Sequence, residues 1–236
     1  MSTTKISQEL SRKHPLQRLE SPSTGISALI HVVGLASFSY SYKYLFDFPN
    51  FISESYGWHF QFLTIIGLTV ATTSFIFGLL ADLTSSRRLF SVKNTLAATA
   101  APLEVLISIL YWTLRFTDPS LVMPDWAPPL TLPADISFHA LPSLLLVLDL
   151  LLLSPPRTVG LSTLLTSTFL AFAYWFWVEL CYSHNGFYPY PLFDALSTPQ
   201  RVGLFAFSGA LMAASAVGLG AVYGWVNGVE GGKRAT

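Results

Sequence analysis

The sequence predicts an all-α, polytopic membrane bundle of six transmembrane helices with both termini cytosolic. Three observations carry this expectation. Of 236 residues, 52% are hydrophobic and only 11% are charged, about half the charge of an average soluble domain. Apolar stretches recur at the length that crosses a hydrocarbon core of about 30 Å, for which roughly 20 helical residues suffice. Basic residues are abundant in alternate connections and scarce in the others.

The spans run from Gly25 to Phe46, Trp58 to Asp82, Thr95 to Phe116, Ile136 to Leu153, Gly160 to Tyr182 and Arg201 to Trp225. Residues 1–24 form a polar tail, 25–226 the transmembrane domain and 227–236 a short second tail. The first span lacks a small-residue cleavage site at its end, so it is expected to be retained rather than removed as a signal peptide. Ten basic residues fall on one side: Lys5, Arg12, Lys13, Arg18, Arg87, Arg88, Lys93, Arg157, Lys233 and Arg234. Only Lys43, Arg115 and Arg201 fall on the other, which places segments 47–57, 117–135 and 183–200 outside the cytosol.

Trp58, Trp112, Trp126, Trp175 and Trp177 gather at the non-cytosolic boundary and Trp225 at the cytosolic one, as amphipathic rings at headgroup depth do. The proline-rich outer segments, "DPSLVMPDWAPPLTLPAD" and "SHNGFYPYPLFDALSTP", are expected to cap the mouth of the bundle. The lone Cys181 excludes an internal disulfide and zinc or iron-sulfur spacings. A net charge of zero leaves no nucleic-acid footprint.

Polar groups at membrane depth are the candidate functional residues, because an unpaired one there is costly. In the third span Glu104, Ser108, Tyr111 and Arg115 share one helix face, which must meet protein or water. That stripe reads either as a buried structural network or as a substrate-binding face. In the second reading the Arg115 guanidinium, near the outer mouth, holds the carboxylate of an amphipathic substrate. In the second span Thr64, Gly67, Ala71, Ser74 and Gly78 form a stripe of small residues, either a packing seam or room for an acyl chain. Gly209, Ala213, Gly220 and Gly224 of the last span read as packing.

Thr64 is expected about six residues, or roughly 9 Å, inside the second span. A membrane threonine ordinarily bonds its own backbone, so its chemistry is not legible from its position. His139, followed by Pro142, is expected near the amino terminus of the fourth span, where the positive helix end favours a neutral imidazole. His31 and Asp149 read as buried partners, His184 and Asn185 as loop residues, and Glu179 as a snorkelling acid.

"WHFQFLT" ending at Thr64, "DISFHALPSLLL" around His139 and "WVELCYSHNGFYPYP" after the fifth span together resemble the androgen-induced and androgen-dependent TFPI-regulating family of multi-pass membrane proteins. The resemblance covers residues 25–226 in order and spacing. It implies a threonine hydrolase that cleaves fatty acid esters of hydroxy fatty acids, with Thr64 as nucleophile and His139 as the essential histidine. The sequence departs from the family pattern at Ile136 and Glu179, where histidines are expected, and these departures bear on substrate choice. The implied chemistry requires no metal or organic cofactor, takes a lipid substrate from the bilayer, and resides in the endoplasmic reticulum or plasma membrane. A transporter or ion-binding protein using Glu104, Asp149 and His31, or a non-catalytic membrane scaffold, is an alternative on the residues alone.

Overall fold

The computed structural model describes residues 25–123, 130–155 and 159–227. Residues 1–24 and 228–236, Trp126 and Arg157 lie outside the described residues, and Asn227 of the expected second tail belongs to the last helix. The long helices are α1 (Ile26–Asp47), α2 (Leu63–Thr84), α3 (Arg87–Thr117), α6 (Leu161–Asn185) and α8 (Thr198–Asn227). The shorter ones are α4 (Leu132–His139), α5 (Leu141–Leu153) and α7 (Pro191–Asp194), and no strand occurs among the described residues.

Five helical stretches are long and apolar enough to cross a membrane: α2, α3, α4 with α5, α6 and α8. At 22 residues α1 has the length, but Ser27, His31 and Ser41 on its buried face make it more polar than those five. Leu29, Phe46, Leu83, Phe116, Phe169, Phe176 and Trp225 are exposed, an apolar exterior suited to lipid tails.

α3 runs through the middle and packs against α2, α5 and α8. α1 covers α2 and α5, while α6 packs along α8 on one flank. Phe38, Leu68, Phe75, Ala97 and Leu146 make the main core between α1, α2, α3 and α5. Gly78 lets the His31 ring sit directly on the α2 backbone, and Gly67 does the same for the Glu104 carboxyl, whose Oε1 would lie 2.6 Å from an added Cβ. The small-residue stripe of α2 is therefore a packing seam, and Gly209 of α8 likewise lies against α6 at Ala171.

Several boundaries differ from the sequence expectation, the larger ones for local reasons. The second helix starts at Leu63, not Trp58, because Trp58–Gln61 form a separate 3-10 turn and Phe62 is extended at φ −87° and ψ 129°. Thr64 therefore lies in the first turn instead of six residues deep. The third helix starts two turns early at Arg87, where the Ser86 hydroxyl caps the Leu89 amide. That extension brings Lys93 inside as a buried residue, not a loop charge.

The fourth span starts at Leu132, since Pro133 sits where a first turn lacks donor partners anyway. It then breaks at Ala140, because Pro142 cannot continue the hydrogen bonding of α4. His139 consequently closes α4 and directly precedes Ala140, the cap of α5, so it stands at a carboxyl end as well as beside the amino end expected for it, with Pro142 in the first turn of α5. The last helix runs past Trp225 to Asn227, which donates to the Leu151 carbonyl at 3.0 Å.

Both outer segments take part in a cap. Asn185 donates to the Tyr56 carbonyl and Gln61 Oε1, each at 3.0 Å, and His184 stacks on Tyr56. The 3-10 turn Pro119–Leu121 touches α7. Glu179, expected to snorkel, is instead a fixed node receiving Trp175, Tyr188 and Arg201.

Candidate functional site

His139 is buried, and its Nδ1 lies 3.0 Å from the Asp135 carboxylate and 3.2 Å from the Asp135 carbonyl. The two residues are one turn apart on α4, so the helix itself sets their approach. Both partners accept, so Nδ1 carries the proton and, in a neutral ring, Nε2 carries the lone pair. No described residue hydrogen-bonds Nε2. Tyr111 from α3 stacks on the imidazole, with centroids 3.4 Å apart and planes 5° apart, which fixes its tilt.

Asp135 was not singled out from the sequence, although its spacing of four from His139 was the available signal. It lies in a proline-rich stretch read as a loop.

Thr64 is buried in the first turn of α2. Four other threonines of this helix, Thr69, Thr72, Thr73 and Thr84, each donate to the carbonyl four residues back at 2.6 to 2.7 Å. For Thr64 the corresponding carbonyl, Phe60, already receives Trp177 Nε1 at 2.9 Å. The next one, Gln61, receives the Tyr174 hydroxyl at 2.8 Å. Its hydroxyl thus stands apart from the backbone bond that ordinarily occupies a membrane threonine.

α2 and α3 are antiparallel neighbours, with Gly67 opposite Glu104 and Ile107. One turn outward from that contact, Thr64 comes level with Ser108 and Tyr111, and Tyr111 carries His139 on its face. α4 also packs against α2, where Phe138, the neighbour of His139, joins Ile65, the neighbour of Thr64, in one cluster. The threonine and histidine singled out from the sequence therefore share one level of the bundle.

The polar stripe of α3 faces the interior of the bundle. Glu104 Oε1, the Tyr111 hydroxyl and Arg115 Nε are buried without a hydrogen bond of ordinary geometry. The Arg115 guanidinium and Tyr111 hydroxyl lie within electrostatic reach of Asp135, and Arg115 forms no ion pair among the described residues. Ser108, between them, is half-buried.

His31 and Asp149 belong elsewhere. Lys93 Nζ lies 2.8 Å from Asp149 Oδ1, His31 Nε2 lies 3.2 Å from the same oxygen, and His31 Nδ1 lies 2.7 Å from Asp82. Ser27 and Ser154 complete this buried network, which has no contact with Glu104. A small apolar crevice opens beside it, around Leu150, Ala216, Leu219 and Gly220, and includes neither Thr64 nor His139 in its lining.

Five helical stretches long and apolar enough to cross a membrane, packed into one bundle, define a multi-pass integral membrane protein. A family model described as FAR-17a/AIG1-like protein matches residues 26–224. A UPF0641 membrane protein of Schizosaccharomyces pombe is 36% identical over 178 residues, which is 74% of this chain and 80% of the relative. The chain belongs to the FAR-17a/AIG1-like family, in agreement with the motifs around Thr64 and His139. No solved structure matches.

Proposed function

We propose that this protein is an intramembrane lipid hydrolase that cleaves esters of fatty acids with hydroxy fatty acids. Thr64 is the nucleophile, His139 the base and Asp135 the acid that orients it. The observation that carries the reading is the Asp135–His139 pair: Nδ1 is committed to the carboxylate, which leaves Nε2 as a free proton acceptor.

His139 Nε2 takes the Thr64 proton as Oγ1 attacks the ester carbonyl. The resulting tetrahedral adduct collapses to an acyl-threonine, and the departing hydroxy fatty acid oxygen receives that proton from His139. Water then attacks the acyl-threonine, again giving its proton to His139, and the fatty acid leaves with Thr64 restored. Asp135 stabilises the imidazolium in both halves. Arg115 holds the substrate carboxylate, flanked by Tyr111 and Ser108, while Glu104 marks the inner limit of the polar face.

All six long segments span the bilayer in this reading, α1 included, because its Ser27, His31 and Ser41 are turned inward and bonded to α2, α5 and α4. The basic-residue asymmetry then sets both termini in the cytosol, even with Lys93 withdrawn from the count, and the site in the outer leaflet. The home membrane is the endoplasmic reticulum or plasma membrane, and the substrate enters from the bilayer, where each methylene favours partition by about 0.8 kcal/mol.

The test is covalent labelling by a lipid-like fluorophosphonate in nanodiscs, paired with hydrolysis of a defined fatty acid ester of a hydroxy fatty acid. Labelling and hydrolysis in the wild type, both lost in Thr64→Ala and His139→Ala that melt normally, support the assignment. Hydrolysis that persists without Thr64 overturns it.

A further inference from the structure

The amino end of α2 has no capping side chain of its own: Phe62 occupies the cap position and makes no side-chain hydrogen bond. A helix start leaves its first amides without internal partners. Tyrosine hydroxyls from distant chain segments come to this end. Tyr174 of α6 receives the Leu63 amide at 3.1 Å and donates to the Gln61 carbonyl at 2.8 Å.

Tyr190 arrives from the other direction. α6 ends at Gly186, whose φ of 74° turns the chain back, and the following loop carries Tyr190 over the start of α2. Its ring meets Phe62 edge to face at 5.3 Å and Phe193 at 5.5 Å, and it packs in one cluster with Leu63 and Ile66, the residues that bracket Thr64.

We propose that Tyr190 is a positioning residue for Thr64, its hydroxyl holding the threonine Oγ1 in the direction of attack; the inference rests on the hydrolase reading. Burial pushes the Tyr190 phenol above its usual range, and the Thr64 hydroxyl and amide, the Leu63 amide and the Tyr174 hydroxyl, all facing its oxygen, oppose that rise. The amides can only donate, so they engage the lone pairs of the phenol oxygen. Tyr174 has given its proton to Gln61 and already accepts the Leu63 amide, so the phenol proton is directed to Thr64 Oγ1, and the threonine keeps its own proton for His139. With the Phe60 and Gln61 carbonyls occupied by Trp177 and Tyr174, Tyr190 replaces the backbone as the group that sets the Thr64 rotamer.

The experiment compares wild type, Tyr190→Phe and a protein with 3,5-difluorotyrosine at position 190, as full-length chains in nanodiscs. Melting temperature, fluorophosphonate labelling rate, and kcat and KM against pH are read for each. Phe keeps the ring contacts and removes only the hydroxyl. It is expected to lower kcat and labelling on the order of tenfold to a hundredfold, with KM and melting temperature retained. The fluorinated residue keeps hydroxyl and shape, so it is expected to restore labelling while moving the alkaline limb of kcat to lower pH. Wild-type kcat and labelling in Tyr190→Phe, beside a labelled wild type, overturn the role of Tyr190 alone. A wild type that neither labels nor hydrolyses overturns the hydrolase reading and this inference with it.

Discussion

Asp135 Oδ1 lies 3.0 Å from His139 Nδ1, one helical turn away on α4, and both side chains are sheltered from solvent. The bond fixes which nitrogen of the ring is free and gives a positive imidazolium a partner when it forms. In Asp135→Asn the side chain keeps its shape, but an amide can present its NH₂ to Nδ1 and favour the other tautomer. The expected result is a fall in kcat on the order of 10²–10⁴, as for the corresponding change in soluble triads. Labelling of Thr64 should fall in parallel, and unchanged labelling would remove Asp135 from the mechanism.

Arg115 lies one turn outward from Tyr111 with its Nε buried and unbonded. A substrate carboxylate would supply what it lacks. A charge-assisted hydrogen bond of this kind contributes about 1.5–3 kcal/mol, so Arg115→Gln should raise KM roughly tenfold to a hundredfold with kcat nearly retained. Hydrolysis of the methyl ester of the same substrate, which has no carboxylate, should be indifferent to the substitution. Equal losses on both substrates would mean that Arg115 serves the fold.

The helices were legible because bilayer thickness imposes a length that composition reveals, and the core of each span was located correctly within α2, α3, α6 and α8. What failed was the reading of charge and proline as loop signals. Lys93 lies inside α3 because Asp149 neutralises it, and Pro133 begins α4 because a first turn tolerates a missing donor. Asp135 was visible by its spacing but was hidden by that same proline-rich neighbourhood. Tyr174 and Tyr190 were not legible at all, since only the packing of α6 and its following loop on α2 brings them to the start of that helix.

The Lys93–Asp149–His31–Asp82 network ties α1, α2, α3 and α5 together in the half of the bundle away from Thr64. With both carboxylates ionised, the two nitrogens of His31 must both donate, so two positive groups face two negative ones. Lys93→Met leaves that arrangement one positive charge short in a dry site and should cost about 3–5 kcal/mol. Lys93→Met combined with Asp149→Leu should recover much of the loss, because a matched apolar pair carries no stranded charge. Thermal unfolding in nanodiscs reads both, and a double variant no better than the single one would argue against electrostatic coupling.

Gly67 accommodates the Glu104 carboxyl where any side chain would intrude, with Oε1 and Ile107 Cδ1 each 2.6 Å from an added Cβ. Gly67→Ala should therefore destabilise the protein by about 1–3 kcal/mol through overpacking. Part of the strain should be relieved by Glu104→Ala, giving a measurable coupling in a double-mutant cycle. Additive effects would place the clash with Ile107 alone.

His59 sits in the outer cap just before α2, with its Nε2 3.0 Å from the Ser53 hydroxyl and its ring against Trp58 and Phe62. Burial lowers its pKa from 6.5 to about 4. An opened cap restores the ordinary value, so between pH 6.5 and about 4 the open form binds a proton that the closed form refuses. The contribution of His59 to cap stability is complete above pH 6.5 and is lost progressively as pH falls toward 4. Hydrogen exchange across residues 50–62, corrected for its intrinsic pH dependence, should therefore quicken over that window. His59→Gln, which has no titrating ring, should exchange with little pH dependence there. The His59 ring lies against Phe62, the residue that caps α2, so acid opening should also slow Thr64 labelling in the wild type more than in His59→Gln. Identical pH responses in the two proteins would show that another group opens the cap.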